Sequence, residues 1–488
     1  MRIIQLYFFV FLLPFSLLAC RHTRTADSQE NEIPATDTVS LKYRALHGAT
    51  MQIDPTFPYY RNRSVESIAE EVELAGYHAV HYFVVNENEV NRELIEAFHK
   101  RNMPVWLMVV GNGTYSTKGL PVGWENWKME MTKEANGGSF TFFSLFNKEF
   151  TEWKKKALVK LVKDYPFDGV EMAETYFPEW DAIRTGRYGD VGPVARKAFK
   201  DQYNAEMPDF TNPGAVNYYT KIPDIYTKWI QFRVDGVTNF QNEIYNGKGG
   251  VREARPDILV ATWSLGVNVG PASVEKLRED HGLDAPAIVE QVKPDIHFIQ
   301  THWPDWVKPE SDLPADYMKT YQVFTDPIRA KFPKLPLGFQ ADQGSAKNMI
   351  KSSFWVKMFN KEVPRYGYDT WTSYEYHLGG YIYNDTPKPL RAVKQGNNMI
   401  VVSFNKRIDE VSGMKTGNFV LYRDGKEEAG AIKSIKVDGN RALISLSSGL
   451  SGFAYSIGAN NISDTPSLRL YKDTPVNKMD REIRVDVQ

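Results

Sequence analysis

The sequence predicts an α/β protein: a (β/α)8 barrel followed by a small all-β sandwich. Two observations carry this expectation. From about residue 43 to 386, short apolar β-branched runs alternate with segments whose apolar residues recur at helical spacing. After Pro387-Lys388-Pro389 the runs shorten, and turn signals such as Arg423-Asp424-Gly425 and Asp438-Gly439-Asn440 separate them. With 488 residues the chain is too long for one ordinary domain, but a barrel routinely uses 200 or more.

Ahead of the barrel, Met1-Arg2 leads into the apolar run Ile3 to Leu18. That run is shorter than the roughly 20 residues a membrane-spanning helix needs. It reads as a signal peptide over residues 1–19, ending Leu17-Leu18-Ala19-Cys20. Residues 20–42 are polar and aperiodic, as expected of a flexible tether.

Within residues 43–386 the first expected strand is Ala45 to Ile53. Ser64 is placed to cap a helix carrying Val65, Ile68, Ala69 and Val72, which Gly76 stops. Ala79 to Val85 is the second strand, and Val90, Leu94, Ile95 and Phe98 mark its helix. The third, Val105 to Val110, leads into a long loop, after which Phe150, Trp153, Leu158, Leu161 and Val162 share a helical face. The fourth is Gly169 to Ala173. A long excursion from Tyr176 to Asp257 follows, with a helix around Trp229 to Ile244. Ile258 to Trp263, Ile296 to Thr301, Leu337 to Ala341 and Thr370 to Tyr374 complete eight strands, the count of a TIM barrel. No Gly-rich dinucleotide loop follows the first strand, which disfavours a doubly wound sheet. Residues 387–488 supply the strand-like runs Met399 to Phe404, Phe419 to Tyr422, Ala431 to Val437, Ala442 to Leu446 and Tyr455 to Ile457.

Composition excludes several function classes. Lys plus Arg total 59 against 60 Asp plus Glu, a net charge of −1, so there is no basic footprint for nucleic acid. One cysteine allows neither a disulfide framework nor a cysteine zinc cage. Aromatic residues make up 13%, a surplus suited to stacking against flat apolar ligand faces.

Barrel active sites lie at the C-terminal ends of the strands. There the sequence offers Gln52 and Asp54, Asn112, Glu171 and Glu174, and Trp263. It also offers His302 and Trp303, Gln340 and Asp342, and Trp371, Glu375 and His377. Carboxylates among Trp and Tyr side chains are what a glycosidic-bond site needs: two acids across the bond and platforms under the rings. Pleat parity turns Val170 and Met172 toward the helices and Glu171 into the barrel, while Glu174 sits at the strand end, where a bulge could aim it into the site. The expected catalytic groups are Glu174, then Glu171, as general acid/base, with Asp342 as partner across the mouth. Asn112, Trp263, His302, Trp303, Trp371, Glu375 and His377 are the expected substrate contacts.

Three resemblances add to this reading. LLAC resembles the lipobox of bacterial lipoproteins, which implies lipidation of Cys20 and a lipid-anchored place in the cell envelope. FDGVEMAETYFPEWD resembles the fourth-strand motifs of TIM-barrel glycoside hydrolases, near the α-amylase superfamily and the family 42 β-galactosidases. That implies a glycosidase that needs no metal or other cofactor and takes a carbohydrate substrate. The amylase-type nucleophile position falls on Ala173, however, and Trp263-Ser264 stand where that class has its fifth-strand acid. SFNKRIDEVSGMKTGNFVLYRDG resembles the opening of bacterial Ig-like domains and ISDTP their closing strand, modules that act as spacers or packing partners; no chemistry is assigned there. The chain is read as a monomer. Two other functions fit the same residues. One is a glycan-binding lipoprotein without catalysis; the other is a sugar isomerase or epimerase holding a divalent ion with Glu171 or Glu174, His302 and Glu375.

Overall fold

The computed structural model describes residues 40–488 except 86, 88, 134–139, 302–304, 306, 342, 343, 345, 377 and 378. The expected signal peptide, most of the tether and Cys20 therefore lie outside the described residues. Among the described residues no helix is long and apolar enough to cross a membrane.

Eight parallel strands close into a barrel: β1 (Gly48–Ile53), β2 (Ala79–Phe83), β3 (Val105–Val110), β4 (Gly169–Ala173), β5 (Leu259–Gly266), β6 (Ile296–Thr301), β7 (Leu337–Gln340) and β8 (Thr370–Glu375). Each strand pairs with its neighbours in sequence, and β8 closes on β1 through pairs such as Gly48 with Thr370. One departure from the sequence reading lies at the start. Leu41–Leu46 is a helix, and β1 begins only at Gly48. Ser40 caps that helix by accepting the Tyr43 N–H, and the Trp106 indole donates to the Ala45 carbonyl at 3.2 Å from inside the barrel. This short helix thus packs against the barrel interior, where Ala45 joins Trp106, Trp263 and Phe298 in one buried cluster. Its apolar Ala45 and Leu46 read equally well as the start of a strand.

The alternation expected of β4 holds: Val170 and Met172 join the large core between strands and helices, while Glu171 turns inward. The helices Val65–Leu74, Arg92–His99 and Lys148–Asp164 begin at side-chain caps, Ser64, Asn91 and Asn147, each accepting a backbone N–H of the first turn. The excursion after β4 packs its own apolar cluster of Tyr188, Phe199, Phe210, Trp229 and Phe232 along helix Pro223–Asn246.

The C-terminal region forms two antiparallel four-stranded sheets. Their strands are β9 (Pro389–Lys394), β10 (Met399–Phe404), β11 (Phe419–Arg423), β12 (Lys426–Glu427), β13 (Ile432–Asp438), β14 (Arg441–Leu446), β15 (Tyr455–Ala459) and β16 (Ile483–Asp486). The orders are β9-β10-β14-β13 and β12-β11-β15-β16, around a core that includes Ile400, Phe404, Phe419, Ile444 and Ile457. The segment ISDTP is not the closing strand; Ser463 and Asp464 make only single bridges, and β16 closes the second sheet.

Residues 40–488 form one compact unit, and polar contacts join sandwich to barrel. Glu70 of helix Val65–Leu74 accepts from Ser403 at 2.7 Å and from Arg391, with Arg441 at 3.2 Å. Burial opposes ionisation of Glu70, but the hydrogen bonds from Arg391 and Ser403 and the two guanidinium charges hold its carboxyl below the ordinary value. Asp438 accepts from the Ser64 backbone and hydroxyl at 2.7 and 2.5 Å. Arg407 donates to the Tyr59 and Arg61 carbonyls at 2.6 and 2.7 Å.

Candidate functional site

In a barrel the inward side chains stack in layers, and the uppermost layer forms the floor of whatever cleft the loops enclose. Here Gln52, Phe83, Met108, Ala173, Gln300, Gln340 and Glu375, from seven of the eight strands, floor a cleft of about 390 Å³. Asp54, Thr56, Phe57, Val85, Tyr115 and Glu174 rise around it from the loops. Its described carboxylates are Asp54, Glu174 and Glu375.

Glu174 follows directly on β4 and adopts the left-handed region at φ 57°, an unusual conformation for a residue with a side chain. This turn takes the place of the expected bulge and carries Glu174 to the cleft, half-buried. The Gln300 amide donates to its carboxylate at 3.4 Å. Two features of the β3 end fix the segment. Gly111 lies so close to Thr175 that a Cβ would stand 2.9 Å from the Thr175 Cα, so only glycine fits. Asn112 is fully buried and grips Tyr176 by two bonds of 3.0 Å, its oxygen accepting the backbone N–H and its amide donating to the carbonyl. Asn112 is thus not on the cleft surface; it positions the loop that bears Glu174.

Glu375 ends β8 and is 3% exposed. The Tyr60 hydroxyl donates to it at 2.8 Å, and it pairs in register with Gln52 across an irregularity in β1. In the strand order β4 and β8 stand diametrically opposite, four strands apart in either direction. Asp54 accepts from the Thr56 backbone and hydroxyl at 2.9 and 2.7 Å, which fixes the turn after β1. Gln52 and Gln340 each keep a buried amide oxygen with no hydrogen-bond partner among the described residues. Such acceptors are rare in folded interiors.

The other expected site residues fall elsewhere. Glu171 lies below the floor, fully buried, with His81 Nδ1 at 2.5 Å from one oxygen and the Trp263 indole donating to the other at 2.9 Å. His81 in turn meets Thr50 at 3.0 Å. Trp263 stacks on Phe298 with ring centroids 4.7 Å apart, inside the barrel. Trp371 faces outward and donates to Asn360 of helix Ser353–Glu362 at 3.0 Å. These three side chains hold the barrel together and do not line the cleft. Asp342, His302, Trp303 and His377 lie outside the described residues. Among the described residues no three side chains of His, Cys, Asp or Glu converge as a metal would require.

Sequence reasoning gave Tyr60, Met108 and Gln300 no part in the site. Only Gln300 had a usable signal, as the inward polar residue before the end of an apolar strand. Leu470 was also missed, and it comes from the C-terminal region to line the cleft.

No protein-family model matches the chain, and no curated protein matches it. Among solved structures it is similar to the PgaB (BpsB) glycoside hydrolase domain from Bordetella bronchiseptica, at 14% identity and a TM-score of 0.48, over 69% of this chain and 96% of that one. It is also similar to the catalytic domain of a β-amylase from Paenibacillus polymyxa, at 10% identity and a TM-score of 0.46, over 69% and 94%. A third similarity is to a β-galactosidase from the psychrophilic Marinomonas ef1, at 12% identity and a TM-score of 0.49, over 68% of this chain and 56% of that longer one. All three are similarities of fold alone.

Proposed function

We propose that the protein is a glycoside hydrolase whose cleft at the C-terminal end of the barrel holds an oligosaccharide. The observation that carries this reading is the placement of Glu174 and Glu375, from opposite strands, on one cleft with aromatic walls. Two carboxylates flanking a bound chain are the working parts of glycosidic-bond hydrolysis. Phe57, Phe83 and Tyr115 offer ring faces and edges to the C–H surfaces of sugars. The amide oxygens of Gln52 and Gln340, without a hydrogen-bond partner among the described residues, suit hydroxyl donors.

Glu174 serves as general acid, donating its proton to the leaving oxygen. Its half-exposed position lets it exchange protons with solvent between turnovers. Glu375, held by Tyr60, is the second carboxylate, acting on the sugar directly or through a water. Among the described lining residues there is no Lys or Arg, so sugars without negative charge are the favoured substrates. Lipidation of Cys20, which would tether the enzyme to the bacterial envelope, belongs to the same proposal.

The test is product release from a panel of neutral and anionic plant, host and algal glycans, with Glu174→Gln and Glu375→Gln beside the parent. Release from neutral glycans, reduced about a thousandfold or more in both variants, is expected. Release unchanged in both variants overturns the assignment. Binding without any release favours a glycan-binding protein. Incorporation of a labelled fatty acid, lost in Cys20→Ser, tests the anchor.

A further inference from the structure

We propose that the C-terminal sandwich completes the substrate cleft. Its loop 466–474 forms one wall, and Leu470 is a specificity-determining residue that packs on the apolar face of a bound sugar ring. This rests on the glycosidase reading of the cleft and deepens it.

The loop is built to be rigid. Arg469, 2% exposed, donates to Thr474 at 2.7 Å and to the Pro475 carbonyl at 3.0 Å, closing the loop from within. Its guanidinium also pairs with buried Asp464, which Lys406 reaches at 2.6 Å. Lys406 donates onward to the Ile382 carbonyl at 3.1 Å, in the short helix after β8. Asn477 donates to the Tyr383 carbonyl of that helix at 2.7 Å. The base of the loop is therefore bonded to the short helix Gly380–Asn384 that comes after β8.

The tip is fastened separately. The Tyr471 hydroxyl donates to the Gly344 carbonyl at 2.7 Å, in the loop after β7, and its ring lies 5.7 Å from that of Tyr383. Lys347 and Asp473 form an ion pair beside it. Between these fixed points Leu470 is 42% exposed and lines the same cleft as Asp54, Glu174 and Glu375. A leucine that the sandwich core does not use, on a braced loop turned into a cleft, presents aliphatic surface at little further entropic cost on binding.

The test uses the full-length protein with Leu470→Ala, Leu470→Trp and Tyr471→Phe. Leu390→Ala is the control, since Leu390 is 46% exposed on β9 and away from the cleft. The probes are cello-, malto-, laminari- and chito-oligosaccharides of two to six rings. KM and kcat are read from released reducing ends. Kd is read by calorimetry in a Glu174→Gln background, and melting temperature for every variant.

The expected result is a KM and Kd raised about tenfold in Leu470→Ala, with kcat within about twofold. Leu470→Trp shifts the preferred chain length, Tyr471→Phe moves KM in the same direction, and Leu390→Ala leaves both constants unchanged. KM and Kd unchanged in both Leu470 variants overturn the proposal. So does a loss confined to kcat together with a fall in melting temperature, because that marks a folding effect. If the parent binds a probe but cleaves none, hydrolysis is refuted, and the change in Kd alone decides on the wall. Neither binding nor cleavage of any probe overturns both.

Discussion

Asn112 and Tyr176 are joined by two hydrogen bonds of 3.0 Å that tie the end of β3 to the loop carrying Glu174. The pair accounts for how a carboxylate one residue beyond a strand is held still. Tyr176 is two positions past Glu174, so movement of its backbone is movement of the acid. Asn112→Ala leaves the half-buried Tyr176 N–H and carbonyl without these partners. The expected outcome is a loss of about 2 to 4 kcal/mol in stability and about a hundredfold in kcat, because small displacements of a catalytic group are costly. Urea unfolding and steady-state kinetics on the same preparation check both.

The two glutamates of β4 are expected to separate by what their loss does. Glu171→Ala strands the His81 ring and the Trp263 N–H below the cleft floor. Stability is expected to fall by about 3 to 5 kcal/mol. Glu174→Gln, at the cleft, is expected to leave the unfolding midpoint within about 0.5 kcal/mol of the parent and to remove turnover. Denaturation curves beside rate measurements make the distinction.

Tyr60→Phe probes the second carboxylate. The hydroxyl donates to Glu375 at 2.8 Å, so its removal takes away a bond that holds the carboxylate in place. A fall of about tenfold in kcat/KM, with the melting temperature little changed, is expected. Steady-state kinetics beside thermal melts of parent and variant read this.

Acid should weaken the fold through His297. Its ring lies fully buried between the Thr262 and Ser264 hydroxyls at 2.8 and 2.9 Å, and burial pushes its pKa down to about 3. The unfolded chain binds that proton near pH 6.5, well before the folded one does. The neutral ring's contribution is therefore complete above about pH 6.5 and is lost as pH falls toward 3. His78, pushed down to about 4 by burial and by the Arg44 charge, acts in the same direction. Urea midpoints at pH 7.5, 6, 5 and 4.5 are expected to fall steadily, and His297→Gln to flatten the slope.

Local pattern determined much of this protein. Short apolar runs such as Val105 to Val110 and Ile296 to Thr301, set between helical faces, specified eight strands and their order. Pleat parity turned Glu171 inward and put the acid-bearing loop after β4. Caps such as Ser64 were legible because capping is a contact over three residues.

The tertiary structure decided depth and company. Parity says that a side chain points into the barrel, but an interior has several layers, and register and strand tilt set the layer. Glu171 and Trp263 therefore became bonded core, and Gln300 and Glu375 cleft floor. Trp371 looks like a sugar platform only until helix Ser353–Glu362 brings Asn360 to its indole. The left-handed turn at Glu174 exists because Gly111 and Asn112, more than sixty positions earlier, lie against the residues that follow it. Leu470 reaches the cleft from almost three hundred positions beyond Glu174. No periodicity encodes such contacts: they form only when distant segments pack, and their energies belong to the packed state alone.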